Sequence, residues 1–418
     1  MLILLSTTSV IASEAELKKE IEKLRSKNEN IENQMNQLQM QTKSLIESKI
    51  ELNKTSQKSS ETDTKVGGYT ELIYNAYSNE ASRSQMDLRR FVLFIGKNFN
   101  EKLSFNSEVE WEHSVVNAND SGETAVEQAY INYQFSPNLS MKAGLFLMPF
   151  GFINESHEPP TFYGAERNEI ETRIIPTTWR EGGLSLTGST DSNIDWGLGL
   201  VTAFDLAKFS DAAKPLRALR QKLQVAKAQD LAVYGTLNYR LPGFVVGTAL
   251  YSGQSGQGNA DYNANTTLPN FAGIAGRVSL ADVHMRLQEN SWDVQALLAK
   301  GMVADAEQIN QVLKDYNTAN ATSLPYVASE FYGWLTQVAY AFNLTGDESL
   351  APFIRYEQFN SQSKMPTGYS ASAKNADDVV TAGVSYKPHA QVVFKTDYQN
   401  YRDNSTRNRF NLAMGYMF

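Results

Sequence analysis

The side chains of residues 68–418 alternate in polarity with a period of two, and this pattern restricts the fold more than any other feature of the chain. In the last segment, apolar residues alternate with small or polar ones: Phe410, Leu412, Met414, Tyr416 and Phe418 against Arg409, Asn411, Ala413 and Gly415. Successive side chains of a β-strand point to opposite faces, so each such segment predicts a strand with one apolar face. About sixteen such segments are present, each near the ten residues that a tilted strand needs to cross a bilayer.

The connections between the predicted strands alternate in length. Short turns are predicted at residues 98–100, 136–138, 190–192, 241–243, 289–290, 345–347 and 387–389, and long polar loops at 77–85, 113–122, 148–179, 205–228, 253–276, 303–327, 361–375 and 402–405. A soluble β-sandwich does not require this alternation, whereas a transmembrane barrel has brief turns at one end and extended loops at the other. Because backbone polar groups must all be paired within lipid, the sheet has to close on itself. The pattern, with the terminal Phe418 typical of outer-membrane barrels, predicts an all-β fold, a 16-stranded antiparallel transmembrane β-barrel over residues 68–418.

The first 67 residues have a different character. Residues 1–12 are apolar and end in Val10, Ile11 and Ala12, which predicts a signal peptide, truncated at its start because no basic residue precedes the apolar stretch. Residues 13–55 lack Gly, Pro and aromatic residues, and apolar residues recur there at spacings of three and four. This spacing predicts an α-helical coiled coil, which self-associates as a dimer or a trimer through the seam Leu17, Ile21, Leu24, Asn28, Ile31, Met35, Leu38 and Leu45. Residues 56–67 are predicted to be a linker.

Composition argues against several classes of function. The chain has no cysteine, which excludes disulfides, thiolate metal sites and cysteine catalysis, and its net charge of −8 gives no support to nucleic-acid binding. The four histidines, His113, His157, His284 and His389, show no metal-ligand spacing, so we expect no cofactor, no metal and no enzyme. Two alternatives stay open: a barrel enzyme that uses His113 or His284 beside a serine, and a divalent cation held by carboxylates of loop 148–179.

A barrel of this size leaves an aqueous channel, so its function is expected in the lumen-facing side chains and in whatever narrows the lumen. The loop 148–179 is rich in aromatic residues and proline, which favours a packed loop that folds inward as a constriction. From the alternation we expect one of Arg89 or Arg90 to face the lumen. The other predicted pore residues are Glu108, Glu110, Lys142, Arg286, Arg355, Glu357, Lys395 and Arg409 on strands, and Glu155, His157, Glu158, Glu166, Arg167, Glu169 and Arg173 in the loop.

Several segments carry a resemblance to a known family. They are EQAY at 127–130, GLFLMPFG at 144–151 and IPTTWREG at 175–182, together with Arg89 and Arg90 at the start of the second strand. They resemble the phosphate-selective porins O and P. The resemblance implies a homotrimeric 16-stranded porin in the bacterial outer membrane whose third long loop lines the constriction. Some members of that family also have a phosphate-binding ladder of arginines and lysines.

The charges predicted to face the lumen are mixed in sign. The acids on the strands are about as numerous as the bases: Glu71, Glu108, Glu110, Asp195, Asp282, Asp293, Glu357 and Asp397. The loop 148–179 has no lysine and more glutamates than arginines. Opposite charges in a narrow pore largely cancel, so we expect a channel for passive diffusion of small hydrophilic solutes or inorganic ions through the outer membrane. The alternatives are a phosphate- or anion-selective porin, and a structural or adhesive protein in which the barrel anchors the coiled coil. The coiled coil of a porin is expected in the periplasm.

Overall fold

The computed structural model describes residues 64–117, 119–120 and 122–418, and the three helical positions 22, 23 and 27. These three positions fall within the predicted coiled coil. The rest of that coil, the signal peptide and linker residues 56–63 lie outside the described residues. The first strand begins at Thr64, so residues 64–67, which the sequence assigns to the linker, belong to the barrel.

Sixteen antiparallel strands follow one another between residues 64 and 418. They are β1 (Thr64–Tyr77), β2 (Gln85–Asn98), β3 (Leu103–Glu112), β4 (Glu123–Ser136), β5 (Leu139–Leu147), β6 (Arg180–Ser189), β7 (Ile194–Thr202), β8 (Leu231–Leu241), β9 (Phe244–Gly253), β10 (Val278–Glu289), β11 (Trp292–Val303), β12 (Glu330–Tyr340 and Phe342–Asn343), β13 (Ser349–Lys364), β14 (Ala376–His389), β15 (Val392–Tyr401) and β16 (Arg409–Met417). The two segments of β12 are separated by one residue, and both pair with β13. Two α-helices, α1 (Ala260–Ala264) and α2 (Ala306–Asn320), lie in long loops.

Each strand pairs with its neighbours in sequence, and the first strand pairs with the last. Tyr69 is opposite Met417 and Tyr77 is opposite Arg409, which closes the sheet into a barrel. Closure removes the two free edges, so every strand has a hydrogen-bonding partner on both sides. The predicted 16-stranded antiparallel barrel, with its alternation of short turns and long loops, is confirmed. None of the helices in the described ranges is long and apolar enough to span a membrane.

The barrel places its apolar face outward. On β16, Leu412 is 44% exposed, whereas the preceding Asn411 is fully buried in the interior. The same outward exposure is found on other strands, at Leu184, Leu198, Val233, Leu250, Val283, Leu298 and Ile354. Apolar side chains facing outward and polar side chains facing inward are what a barrel embedded in lipid requires.

Two long loops fold into the interior of the barrel. The inner loop (residues 148–179) connects β5 to β6, and the basic loop (residues 203–230) connects β7 to β8. Together with helix α2 and inward-facing strand residues they form a hydrophobic cluster that includes Phe150, Ile170, Ile174, Trp179, Phe204, Phe209, Leu216, Leu219, Ile309 and Leu313. The prediction that loop 148–179 packs inside the barrel therefore agrees with the observed fold.

Candidate functional site

The inner loop crosses the lumen and is held by carboxylates on the far wall. The backbone N–H of Ala165 donates to Asp397 on β15 at 2.6 Å, and that of Glu169 donates to Glu357 on β13 at 2.6 Å. The N–H of Gly151 donates to Asp282 on β10 at 3.2 Å. Hydrogen bonds to a carboxylate are stronger than those between neutral groups. These acids, which the alternation predicts to face the lumen, therefore act as anchors for the loop.

The inner loop is also braced from within. One oxygen of Glu171 accepts hydrogen bonds of 2.6 Å from the N–H groups of Phe152 and Ile153, and the other accepts one from Asn168. Burial raises the pKa of Glu171, and these hydrogen bonds oppose that rise. At the two ends of the loop, the amide of Asn154 donates to the carbonyl of Trp179 at 2.9 Å and accepts from its N–H at 2.7 Å. These hydrogen bonds within the loop fix its shape independently of its contacts with the barrel wall.

Both Arg89 and Arg90 face the interior, where the sequence predicts only one of them. The pairing of β1 with β2 shifts by one residue here, because Glu71 is opposite Arg90 and the next residue is opposite Leu88. Arg89 is thus the extra residue of a β-bulge, which turns its side chain inward beside that of Arg90. Arg90 pairs with Glu71 at 3.1 Å and with Glu110 at 3.3 Å.

Arg89 pairs with the inner loop. Its guanidinium lies 3.2 Å from Glu166 and 3.4 Å from Asp87. Burial alone would raise the pKa of Glu166, but Arg89 and Arg409 outweigh it and lower that pKa. This pair fixes the loop to β2, one residue along the loop from the contact of Ala165 with Asp397.

On the far wall the predicted bases are paired too. Arg355 donates to Glu357 at 2.8 Å, and Arg286 contacts Asp293 at 2.5 Å. The ammonium group of Lys395 donates to the carbonyl of Gly164 at 2.9 Å and lies 3.5 Å from the centre of the Phe162 ring. Asp293 in turn accepts a hydrogen bond of 3.0 Å from the hydroxyl of Tyr163 in the inner loop. Each of these three bases therefore contacts either the inner loop or an acid that binds it.

Glu169 is the centre of a further charged group. It pairs with Arg173 in the next turn of the loop and with Arg407 at 3.2 Å, and it accepts a hydrogen bond of 2.5 Å from Tyr401. Burial alone would raise the pKa of Glu169, but these arginines hold it below its usual range. Arg409 lies at the edge of this group and donates to Tyr77 at 3.4 Å.

Two predicted loop acids lie away from these groups. Glu155 is about half exposed, and its carboxylate is 3.8 Å from Lys142 of β5. Glu158 is partly exposed, and its carbonyl accepts a hydrogen bond from Thr161 within a turn of the loop. The structure therefore places Lys142 and Glu155 together near the short turns, and Glu158 by itself.

His157 lies between two glutamates, and sequence reasoning named only one of them. Its Nε2 is 3.4 Å from Glu108 on β3 and 3.5 Å from Glu127 on β4. Burial alone would lower the pKa of His157, but the two carboxylates raise it to about 9. Glu127 is the extra residue of a second bulge, because Glu108 is opposite Gln128 and Val109 is opposite Val126. Glu127 stands in the EQAY segment, yet simple alternation gives no sign of its inward position.

The basic loop is the other feature that the sequence-based site prediction left out. Its run KPLRALRQK, at residues 214–222, interleaves basic and apolar residues, a pattern from which a packed basic loop could have been predicted. Leu216 and Leu219 are buried in the hydrophobic cluster, and Arg220 donates to the carbonyl of Thr178 in the inner loop at 3.0 Å. The apolar residues of the run therefore fix its basic residues beside the inner loop.

Cavities lie on both sides of the inner loop. Toward the short turns, one of about 310 Å³ is lined by Lys142, Glu155, Asp195 and Arg240, and one of about 430 Å³ by Arg286, Arg355 and Lys387. Toward the long loops, a cavity of about 270 Å³ is lined by Glu71, Arg89, Arg90, Glu112, His113, Glu166, Arg167, Lys214 and Arg217. We call this last one the outer cavity. Bases outnumber acids in its lining.

The remaining histidines do not form a nucleophilic pair. Nδ1 of His113 is 2.8 Å from Asp87, and His284 contacts Asp282 at 2.7 Å and Asn238 at 2.9 Å. Across the part of the chain that the structure describes, neither ring has a hydrogen bond to a serine. The alternative of a barrel enzyme built on His113 or His284 thus gains no geometric support.

Comparison with known proteins is consistent with this geometry. The family described as phosphate-selective porin O and P matches residues 66–175. An uncharacterized protein of Aquifex aeolicus (strain VF5) is 34% identical over 360 residues, which cover 84% of this chain and 79% of that relative.

Solved structures of outer-membrane proteins share the fold. Salmonella typhi OmpF, in complex with daunomycin, aligns with a TM-score of 0.55 at 14% identity over 85% of this chain and 97% of its own. The anion-selective porin from Comamonas acidovorans aligns at 0.50 and 9% identity, over 86% and 100% of the two chains. The outer membrane channel DcaP of Acinetobacter baumannii aligns at 0.50 and 11% identity, over 85% and 97%. At these identities the likeness concerns the fold.

Proposed function

Since this chain belongs to the phosphate-selective porin O and P family, we propose that it is an outer-membrane porin for passive diffusion of small hydrophilic solutes and ions, with its selectivity set at the inner loop. The observation that carries this proposal is the position of that loop, which runs from β5 to anchors on β10, β13 and β15. A loop held across a closed barrel reduces the cross-section of its lumen. Solutes must then pass the charged side chains around that loop.

The charges around the inner loop support weak selectivity at the constriction itself. Arg90 stands between two glutamates on the β1–β3 side, and on the far wall Arg355 is paired with Glu357. Paired charges of opposite sign create a field across the lumen, but they add little net potential along it. An eyelet of this kind discriminates mainly by size and polarity.

The outer cavity supports a second candidate, a preference for anions. Two of its acids, Glu71 and Glu166, are already paired with Arg90 and Arg89. Arg167 has Nε and Nη2 without a hydrogen-bond partner, although both atoms are buried. Buried guanidinium N–H groups without protein partners are well suited to an anion or to water. A porin with this cavity would concentrate anions before they reach the constriction.

Planar-bilayer recording tests both candidates. We expect the purified full-length protein to form open channels, and the reversal potential in a KCl gradient to give the ratio of chloride to potassium permeability. A ratio near one supports the general channel. A ratio well above one, with chloride current reduced by added phosphate, supports the anion-selective porin. Folded protein that never opens a channel would contradict both and favour the structural anchor.

We also propose that the porin is a homotrimer with its N-terminal coiled coil in the periplasm. The support is the heptad seam from Leu17 to Leu45 and the resemblance to a family of trimeric porins. Chemical crosslinking of the full-length protein in detergent should trap three chains. Leu24→Asp in the seam should weaken coil association, whereas Lys23→Asp, one position away and outside the seam, should not. Equal crosslinking in both variants would contradict a role for this seam.

A further inference from the structure

The cluster of Glu108, Glu127 and His157 contains three buried polar atoms that no hydrogen bond satisfies. These atoms are Oε1 of Glu108, Oε2 of Glu127 and Nε2 of His157, and all three lack a hydrogen-bond partner. The residues are only 2%, 0% and 3% exposed. Buried polar groups of native proteins are nearly always satisfied. Three that converge on one point indicate a common partner that is not a side chain of this barrel.

The spacing of the three atoms fits a metal ion. Nε2 of His157 is 3.4 Å from the Glu108 oxygen and 3.5 Å from the Glu127 oxygen. Ligand bonds of about 2.0–2.1 Å in tetrahedral geometry separate neighbouring ligand atoms by roughly 3.3–3.4 Å. These two separations are too long for good hydrogen bonds but close to this value, and all three ligand atoms lie within 4.8 Å of one another. They therefore leave room for an ion between the ligands.

Each of the three side chains also has a contact at the atom that points away from the centre of the cluster. Nδ1 of His157 faces the carbonyl of Asn154 at 3.1 Å, which directs its proton outward and leaves the Nε2 lone pair for a ligand bond. The second oxygen of Glu108 accepts from Gln128 at 2.8 Å, and that of Glu127 accepts from Arg180 at 3.2 Å. Outer contacts of this kind orient metal ligands and fix the histidine tautomer. All three ligands thus have a second partner that sets their direction.

We propose that Glu108, Glu127 and His157 bind a divalent transition-metal ion, with Zn²⁺ as the reference case. One imidazole and two carboxylates are ligands that Zn²⁺ accepts, and a water molecule would complete the tetrahedron. The two carboxylates also balance the charge of the ion. Because β3, the bulge of β4 and the inner loop each supply one ligand, the ion ties the inner loop to the wall near its start. The carboxylate anchors on β13 and β15 hold the same loop on the opposite side of the lumen.

A proton is the competing occupant of this cluster. If Nε2 carries a proton, His157 is an imidazolium between two carboxylates, and no metal is needed. The experiment must therefore separate the ion from the proton. The metal site does not depend on channel activity, so a result on metal binding stands whether or not the barrel conducts.

The test uses the full-length protein refolded from urea into detergent in the presence of EDTA and then freed of chelator. Unheated samples that migrate faster than boiled ones establish that each variant has closed its barrel. Calorimetric titration with Zn²⁺ should give one site per protomer. Titration with Co²⁺ should give the intense visible absorption of a tetrahedral site rather than the weak absorption of the hydrated ion.

The variants are Glu108→Gln and His157→Gln, and the matched control is His113→Gln. His113 is a more exposed histidine that lies beside a carboxylate, and among the described residues its ring forms an ion pair with a single acid, Asp87. We expect both cluster variants to lose at least tenfold in Zn²⁺ affinity and to lose the Co²⁺ absorption, and the control to retain both. The proposal is overturned if closed wild-type barrels bind no Zn²⁺ stoichiometrically, or if His157→Gln binds it as well as His113→Gln does.

Discussion

The backbone N–H of Ala165, in the inner loop, donates a 2.6 Å hydrogen bond to Asp397, a residue 232 positions later on β15. The same carboxylate accepts from Asn411 on β16 at 2.7 Å. A loop that starts at β5 is therefore fixed to the last strands of the chain. This contact therefore helps to hold the loop across the lumen at this level.

Removing this anchor should loosen the constriction. In Asp397→Ala, the hydrogen bond to Ala165 is lost, and a charged hydrogen bond of this kind contributes about 1.5–3 kcal/mol. We expect single-channel conductance to rise and its fluctuations to increase, while the barrel still closes. The measurement is single-channel recording in a planar bilayer. Asp195→Ala is the matched control, because Asp195 lines a cavity near the short turns and pairs with Arg240. Equal conductance in both variants would contradict the anchoring role.

Replacing Trp179 should destabilise the packing of the inner loop against the basic loop. Its ring is fully buried and stacks on Phe204 at 5.2 Å between centres, with Phe150 at 5.0 Å and Tyr251 at 5.1 Å. Truncation of a buried tryptophan to alanine costs about 3–5 kcal/mol. Trp179→Ala should lower the temperature at which the fast-migrating gel form is lost.

The control for Trp179 is Trp292→Ala, since Trp292 is half exposed at the outer face of β11 and contacts Tyr340. A smaller shift is expected there, because less of the ring is removed from contact with protein. If Trp292→Ala destabilised the barrel as much as Trp179→Ala, the interior packing would not be the main source of loop stability.

Acid should release the inner loop. The pKa of Glu169 and that of Glu166 are lowered by arginines, even though burial opposes this. A carboxyl whose pKa is lowered in the folded state stabilises that state fully above its unfolded value, about 4.3, and stabilises it less as pH falls toward the folded value. The contribution of these two carboxylates to protease protection of the inner loop should therefore be constant from pH 7 to about 5 and fall below about pH 4.

Glu169→Gln separates this effect from general acid denaturation. The amide cannot titrate, so the variant should show weaker protection at pH 7 and a smaller further loss on acidification. Gel mobility at each pH shows whether the barrel stays closed. A variant that keeps the full pH dependence of the wild type would show that Glu169 is not the responsible group.

The barrel could be predicted from the sequence because its determinants are local. The alternation from Phe410 to Phe418 fixes which face of β16 is apolar, and the closed sheet leaves that face outward. Turn length is equally local, so the short turns and long loops follow from runs of a few residues. No long-range contact is needed for either inference, and both are confirmed.

The site could be predicted only in part, because bulges and contacts across the lumen are not local. Arg89 and Glu127 reach the interior through one extra residue in β2 and in β4, and a simple period of two cannot reveal that residue. Asp282, Glu357 and Asp397 were predicted to face the lumen, but their partners are backbone N–H groups of a loop more than a hundred residues away. Acids that the sequence predicts to line the pore are therefore partly engaged by the inner loop in the structure.

Arg167 should contribute to anion preference, because it is the base of the outer cavity with two unsatisfied N–H-bearing nitrogens. A unit charge 4 Å from an ion is worth about 1 kcal/mol in water, which corresponds to about fivefold in a permeability ratio. Arg167→Ala should therefore lower the ratio of chloride to potassium permeability by up to about fivefold, as measured from reversal potentials in a KCl gradient.

Arg402→Ala is the control, since Arg402 is largely exposed, 3.9 Å from Asp378, and outside the outer cavity. The same shift in both variants would mean that surface charge sets the preference, and no shift in Arg167→Ala would mean that permeating anions do not use the outer cavity.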